Sequence, residues 1–454
     1  MVRLRQSTPN GPPRRRFERI SSAAADEWKL EKSEDDRLQN HAIDKLMELV
    51  GLEELKAQVL AIRARIDVRN LQEIDLRKER FHIIFQGNPG TGKTTVARLY
   101  AKFLKSVGIL TSDVVQETSG AKLAAKGAKD IEAMIEDILR MAGARCHSTA
   151  MENNLGKLLV IFAGYKEDMQ TILEHNPWLA SRIPFCLNLE DFSDAELLQI
   201  LYDKIWEKYG YAMKVEDGFR GLYMHIAIRR LGRGRESKGF GNARSVENLL
   251  GEIAERQAIR SKKETKWGKD LIGFDPSKAK FQSRAWERLQ KLTGLESVKA
   301  SVQNMINMIE TNYHRELAER ETLRFSLNQV FVGSPGTGKS TACQLYGQIL
   351  ADLGLLSRGE VVVKIPSDFV GQTIGSSEAQ TKGILAATIG KVLVIDEAYM
   401  LNPGDNIQNS FKTGVIDTLV AEVQGSVGED RCIILSGYED KIKDMFHHVN
   451  PGLS

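Results

Sequence analysis

The 454-residue sequence is poor in cysteine and proline and has no long hydrophobic run. Its four cysteines, Cys146, Cys186, Cys343 and Cys432, lie far apart and form no C-x-x-C pair. That excludes a disulfide-stapled scaffold and suits a reducing compartment. No uncharged apolar run approaches the ~18 residues that a membrane-crossing helix needs. An excess of one charge is missing too: 63 basic residues stand against 60 acidic ones, a net charge of +3. So close a balance gives no global argument for nucleic acid as a partner. What is present is ordinary globular material, 42% hydrophobic and 27% charged. At about 150 residues per domain, the length suits two or three domains.

The charge is uneven only at the start. Residues 1–20 hold Arg3, Arg5, Arg14, Arg15, Arg16 and Arg19 against the single acid Glu18, and residues 21–40 turn acidic. Pro9, Pro12 and Pro13 break the amphipathic helix that a mitochondrial transit peptide needs. The expectation is a disordered tail over 1–40, and the cytoplasm or nucleus ahead of the mitochondrion.

An internal repeat organises the rest. L-V-G-L-E-E-L-K from Leu49 recurs as L-T-G-L-E-S-V-K from Leu292, with Gly51 and Gly294 243 residues apart. G-N-P-G-T-G-K-T from Gly87 recurs as G-S-P-G-T-G-K-S from Gly333, 246 residues on. I-F-A-G-Y ending at Tyr165 recurs as I-L-S-G-Y ending at Tyr438, but 273 residues on. The register therefore jumps by 27 residues, and the first copy is short by that amount between about Ile138 and Leu158. Short apolar runs, Phe81–Phe85 and Gln329–Val332, lead into both glycine loops as strands do. Val96, Leu99, Phe103, Leu104 and Val107 then recur at helical spacing. Lys157–Phe162 and Lys391–Ile395 read as buried strands. Strands alternating with helices predict a mostly parallel sheet covered on both faces. Residues 190–260 lack strand-like runs and predict a small helical subdomain.

G-x-x-x-x-G-K-[ST] between a strand and a helix is a phosphate-binding loop. Its glycines let backbone N–H groups converge on phosphate oxygens, the helix N-terminus adds partial positive charge, the lysine adds a full charge, and the hydroxyl can bind Mg²⁺. The first loop is Gly87, Asn88, Pro89, Gly90, Thr91, Gly92, Lys93, Thr94 and Thr95; the second is Gly333, Ser334, Pro335, Gly336, Thr337, Gly338, Lys339, Ser340 and Thr341. In the second copy, Val392–Ile395 runs into Asp396 and Glu397, 57 residues after Lys339. An acid ending a buried parallel strand is placed to hold Mg²⁺ beside Ser340, and Glu397 to polarise the attacking water. The first copy has no such pair: it reads Met141-Ala-Gly-Ala-Arg-Cys-His-Ser-Thr-Ala150 at the corresponding place, and the preceding acids Asp130, Glu132, Glu136 and Asp137 sit on a helical pattern, not after a strand. Its loop hydroxyl, Thr94, would have to bind metal without that acid. No N-K-x-D base-recognition motif points to GTP.

These residues resemble AAA+ ATPases of the CbbX/CfxQ and stage V sporulation K group. The likeness rests on both loops, Asp396-Glu397-Ala398-Tyr399, the A-G-Y and S-G-Y strands, His175–Arg182 (H-N-P-W-L-A-S-R) and Gly239–Leu249 (G-F-G-N-A-R-S-V-E-N-L), and it spans residues 45–454. The resemblance implies an α/β fold in two tandem copies, each a P-loop NTPase with a doubly wound parallel sheet, and a small helical lid. It further implies ATP and Mg²⁺ as cofactors, a homo-oligomer (a hexamer in the family) with nucleotide between subunits, and remodelling of a protein partner. Arg182 matches the arginine finger that reaches a neighbour's γ-phosphate, and Arg244 the lid arginine that senses phosphate in cis. Where threading members carry an aromatic pore residue, this chain has Thr373.

The expected layout is a tail over 1–40, a first α/β module over 41–189 without the acid-bearing segment, and its lid over 190–260. A linker over 261–285 and a second α/β module over 286–454, ending before a finger and lid, complete it. Catalysis is expected at Glu397 with Arg182, and metal binding at Thr94, Ser340 and Asp396. The arginine-rich run Arg229–Arg244 reads as a lid loop ahead of an RNA contact, with only Phe240 as an interleaved aromatic. Two function classes remain: an ATP hydrolase working at the second copy, or a non-catalytic nucleotide-dependent scaffold.

Overall fold

The computed structural model describes residues 19–34, 39–76, 79–119, 156–175, 182–210, 213–237, 239–260, 266–273, 275–276, 283–371, 373, 375–402, 410–424 and 430–448. The chain divides into two compact units, Met1–Gly221 with Lys238–Lys266, and Leu222–Ser237 with Trp267–Ser454.

In the first unit, strand β1 (Ile83–Gln86) is buried throughout and lies between β2 (Ile161–Gly164) and β3 (Phe185–Asn188) in a parallel sheet. Helix Lys93–Ser106 follows the first glycine loop and buries Val96, Leu99, Phe103 and Leu104, as their spacing predicts. Tyr100 on the same helix is fully buried, so its hydroxyl needs a partner and donates to the Phe81 carbonyl at 3.2 Å. The same core extends to helices Ala23–Glu34, His41–Met47 and Glu53–Leu71.

This corrects the expected disordered tail at residues 23–34; residues 1–18 and 35–38 lie outside the described residues. Residues 23–34 are helix, because Ala24, Ala25 and Trp28 share one face and bury it. Trp28 is 2% exposed; its indole N–H donates to Asp44 at 2.8 Å, and the Arg63 guanidinium lies 4.8 Å from the ring centroid.

Helices Asp194–Tyr209 and Ala243–Arg260 pack together in this unit, the former started by a capping box between Ser193 and Glu196. Two-residue strands β4 (Lys214–Val215) and β5 (Lys266–Trp267) also occur. The helix Leu222–Gly232, expected in the same helical subdomain, instead belongs to the second unit. There Arg230 and Arg233 both pair with the buried Glu316 carboxylate, and Arg230 also donates to the Ile272 carbonyl.

The second unit holds a four-stranded parallel sheet in the order β6 (Gln329–Val332), β9 (Cys432–Gly437), β8 (Val392–Ile395), β7 (Val361–Lys364). Apolar clusters cover both faces: helices Arg284–Lys291, Glu296–Leu317 and Lys339–Asp352 supply one, and Ser410–Gln424 and Glu439–His448 contribute to the other.

The repeat is visible in the pairing. Gln86 pairs with Gly164 as Val332 pairs with Gly437. The copies differ in what lies beyond. β9 has β8 on its other side and is buried along its whole length, whereas β2 is half-buried or exposed at every position. Among the described residues no strand pairs with the outer edge of β2. The 27-residue shortfall falls there in the sequence, in a stretch that lies mostly outside the described residues.

Candidate nucleotide sites

In the second unit, β6 runs into the loop Gly333–Gly338 and the helix starting at Lys339. Gly338 caps that helix at φ 85°, a left-handed conformation that a side chain would strain. The loop therefore turns tightly enough to aim the helix N-terminus at an anion. The Lys339 ammonium is held over the loop, donating to the carbonyls of Gly333 at 2.7 Å and Ser334 at 3.0 Å. Thr337 donates its hydroxyl to the Ser334 carbonyl at 2.8 Å.

The neighbouring strands bring the rest. Asp396 and Glu397, at the end of β8, share one cavity of about 430 Å³ with Lys339, Ser340 and Thr341. The Asp396 backbone N–H donates to the Lys364 carbonyl at 2.8 Å, and its carboxylate accepts from the Glu397 N–H at 3.1 Å. Burial and then the nearby Asp396 charge push the Cys343 thiol up to about 12, so this P-loop-helix cysteine is a protonated core residue at neutral pH. A serine hydroxyl and a carboxylate are hard oxygen donors, and the pair Ser340 and Asp396 suits Mg²⁺.

The first loop is built alike and covered differently. The Lys93 ammonium donates to the carbonyls of Gly87 at 2.8 Å and Asn88 at 2.6 Å. Two distant segments close over the loop. The Leu189 N–H donates to the Gln86 carbonyl at 2.7 Å, and the Gly239 N–H donates to Asn88 at 3.1 Å. Asp191 accepts from Asn88 at 3.0 Å and from Asn242 at 2.7 Å. Gly90 lies so close that a Cβ there would stand 2.0 Å from the Gly241 carbonyl oxygen. Thr91 is consequently buried, while its counterpart Thr337 is exposed.

Arg244 opens helix Ala243–Arg260 beside this loop, where its charge is felt by Lys93. Burial first, and Arg244 second, hold the Lys93 ammonium below the ordinary lysine range, with Asp191 opposing them. Thr94 and Thr95 are exposed at the helix start. Asp130, Glu132, Glu136 and Asp137 lie outside the described residues, as do residues 176–181 of the finger motif. Arg182 itself is half-buried just before β3. In the second unit, Thr373 is exposed at the loop before helix Ser376–Ala387, its N–H donating to Ser376 at 3.0 Å.

Sequence reasoning missed three features. Gly437 and Tyr438 line the second cavity. The G-Y pair in both copies is their signal, since Gly164 and Gly437 each accept from the first loop glycine, Gly87 and Gly333, at 3.1 Å. The Asn88–Asp191–Asn242 network has no short-range signal. Nor does the engagement of Arg230 and Arg233, two cations of the arginine-rich run, by Glu316.

A parallel sheet, glycine loops opening into helices and an acid-ended neighbouring strand define a P-loop NTPase with a doubly wound α/β fold. Residues 83–162 and 329–446 match the model of the ATPase family associated with various cellular activities (AAA), and residues 193–276 match an AAA lid domain. The chain carries two AAA regions and an AAA lid region. It is 36% identical over 165 residues to the plasmid-encoded protein CbxX of Cupriavidus necator, covering 36% of this chain and 51% of that one. It is 34% identical over 165 residues to the chloroplastic ribulose bisphosphate carboxylase/oxygenase activase of Cyanidioschyzon merolae, covering 36% of this chain and 55% of that one. It is 32% identical over 167 residues to stage V sporulation protein K of Bacillus subtilis, covering 37% of this chain and 51% of that one. The chain thus spans about half the length of these curated relatives. No helix among the described residues is long and apolar enough to cross a membrane.

Proposed function

We propose that the chain binds ATP at its P-loops, hydrolyses it at the second module, and uses the cycle to remodel a protein partner. The observation that carries this reading is the convergence of Lys339, Ser340, Asp396 and Glu397 on one cavity. Lys339 would neutralise the β- and γ-phosphates, Ser340 and Asp396 would hold Mg²⁺, and Glu397 would take a proton from the attacking water. When bound, the metal supplies charge neutralisation at the phosphate oxygens. The first module would bind nucleotide through Lys93 and Arg244 without turning it over, because no acid pair ending an apolar strand run follows its loop in the sequence. Arg182 would act in trans on a neighbour's nucleotide within a homo-oligomer, a hexamer by family resemblance. The partner class follows the kind of protein that includes the activase named above.

Replacing Glu397 with Gln keeps the shape and the hydrogen-bonding reach but removes the base. ATP binding should persist while phosphate release falls by about 100-fold or more. Turnover surviving in Glu397→Gln would refute hydrolysis at this site. A second reading, a nucleotide-dependent scaffold, is favoured by the first copy's lack of an acid pair at the end of an apolar strand run. Tight ATP binding by the wild-type chain with no phosphate release, at concentrations where it oligomerises, would select that reading.

A further inference from the structure

We propose that Tyr399, Tyr438 and Lys441 form a brace that holds Glu397 in its working orientation, a role that rests on the hydrolysis reading above. Glu397 sits at φ 53°, ψ 38°, in the left-handed region. A residue with a Cβ stays there only where its surroundings over-determine the conformation, and such sites cluster at catalytic centres.

The surroundings are specific. Tyr399 lies two residues after Glu397 in the tight turn Ala398–Leu401. Its ring presses against the end of β9, where a Cβ on Gly437 would stand 2.9 Å from Tyr399 Cδ1. The ring of Tyr438, which lines the cavity with Glu397, has its centroid 5.9 Å from that of Tyr399. Lys441, in the first turn of helix Glu439–His448, places its ammonium 4.6 Å from the Tyr399 centroid and 5.3 Å from the Tyr438 centroid. One cation thus tethers the turn that carries Glu397 to the strand end that lines the same cavity.

The other repeat supplies an internal contrast. Gly437-Tyr438 corresponds to Gly164-Tyr165, but Lys441 corresponds to Asp168 at the same 273-residue offset. The copy without an acid pair therefore has an anion where the copy with one has the bracing cation. The helix as such does not call for a lysine at that position. Lys441 is a positioning residue: it acts on Glu397 through two aromatic rings.

Lys441 is exposed, so replacing it leaves the core intact. In Lys441→Met, kcat for ATP should fall about 10-fold or more, with KM and nucleotide affinity within about 2-fold, as displacement of a catalytic group predicts. Lys443→Met, which breaks only the exposed Lys443–Glu439 pair on the same helix, should leave both constants unchanged. Wild-type turnover with an unchanged kcat in Lys441→Met overturns the brace.

A thermal cycle tests the brace without turnover. Glu397→Gly relieves the left-handed strain and should raise the melting temperature in the wild-type background. In Lys441→Met that gain should shrink by at least about half, because an unbraced residue 397 relaxes by itself. If the wild-type chain releases no phosphate, the hydrolysis reading fails and this cycle decides the brace alone: a shrunken gain supports it, and strict additivity overturns it.

Discussion

Lys93 and Arg244 place two positive charges beside one loop, and the loop bears the cost until an anion arrives. Burial and Arg244 lower the Lys93 pKa in the folded chain, so the folded state holds its proton less tightly than the unfolded state does. The unfolded state therefore binds more protons between the lowered value and the ordinary value of 10.5, and stability should rise with pH through that window. At neutral pH the full penalty is present. Arg244→Gln should accordingly raise the melting temperature of the nucleotide-free chain by a degree or two and flatten its alkaline rise. It should also weaken ATP binding by about 10-fold, because a charge-assisted contact is lost. Thermal scans from pH 7 to 10, with and without ATP, read both effects. A lower melting temperature without nucleotide would show that Arg244 stabilises the loop itself. The motif spacing located Lys93, Lys339, Asp396 and Glu397, because phosphate chemistry needs fixed residues at fixed intervals. It did not reveal that Asn88, Asp191 and Asn242 lock the first loop. Those contacts join positions more than 50 residues apart and leave no periodic trace.

At the scale of elements, the two copies are a comparison made within one chain. β2 and β9 occupy equivalent places, each beside the strand that enters a P-loop. β9 has a strand on both sides and is buried at all six positions, but β2 has one described neighbour and no fully buried residue. Backbone groups at an unpaired edge open more readily than those in a central strand. The β2 amides should therefore exchange hydrogen about 100-fold or more faster than those of β9, read by mass spectrometry on the intact chain. Equal protection would mean that something covers the outer edge of β2. The 27-residue gap in the sequence falls before β2, in a stretch of which residues 120–155 lie outside the described residues. The helix Ala23–Glu34 was not legible in the sequence. Its charged sequence hides a three-residue apolar face, and Trp28 becomes a core residue only through Asp44 and Arg63, which follow it by 16 and 35 residues.

For the molecule as a whole, composition excluded little beyond disulfides and membrane-crossing helices; the repeat and the family match define two AAA regions in one chain. Their inequality is the central proposal: both loops would bind nucleotide, and only the second is followed by the strand-ending acids that hydrolysis needs. The helix Leu222–Gly232 shows where sequence segmentation stops. It lies inside the segment that matches a lid, yet its Arg230, and Arg233 just beyond its end, pair with Glu316 within the second unit. The most direct test compares steady-state phosphate release from the wild-type chain, Lys93→Ala and Lys339→Ala at saturating ATP. Lys339→Ala should abolish release, and Lys93→Ala should keep at least about half of it while losing one class of ATP-binding site. Equal loss in the two variants would contradict the account, because it would make the first module a working ATPase without the acid pair.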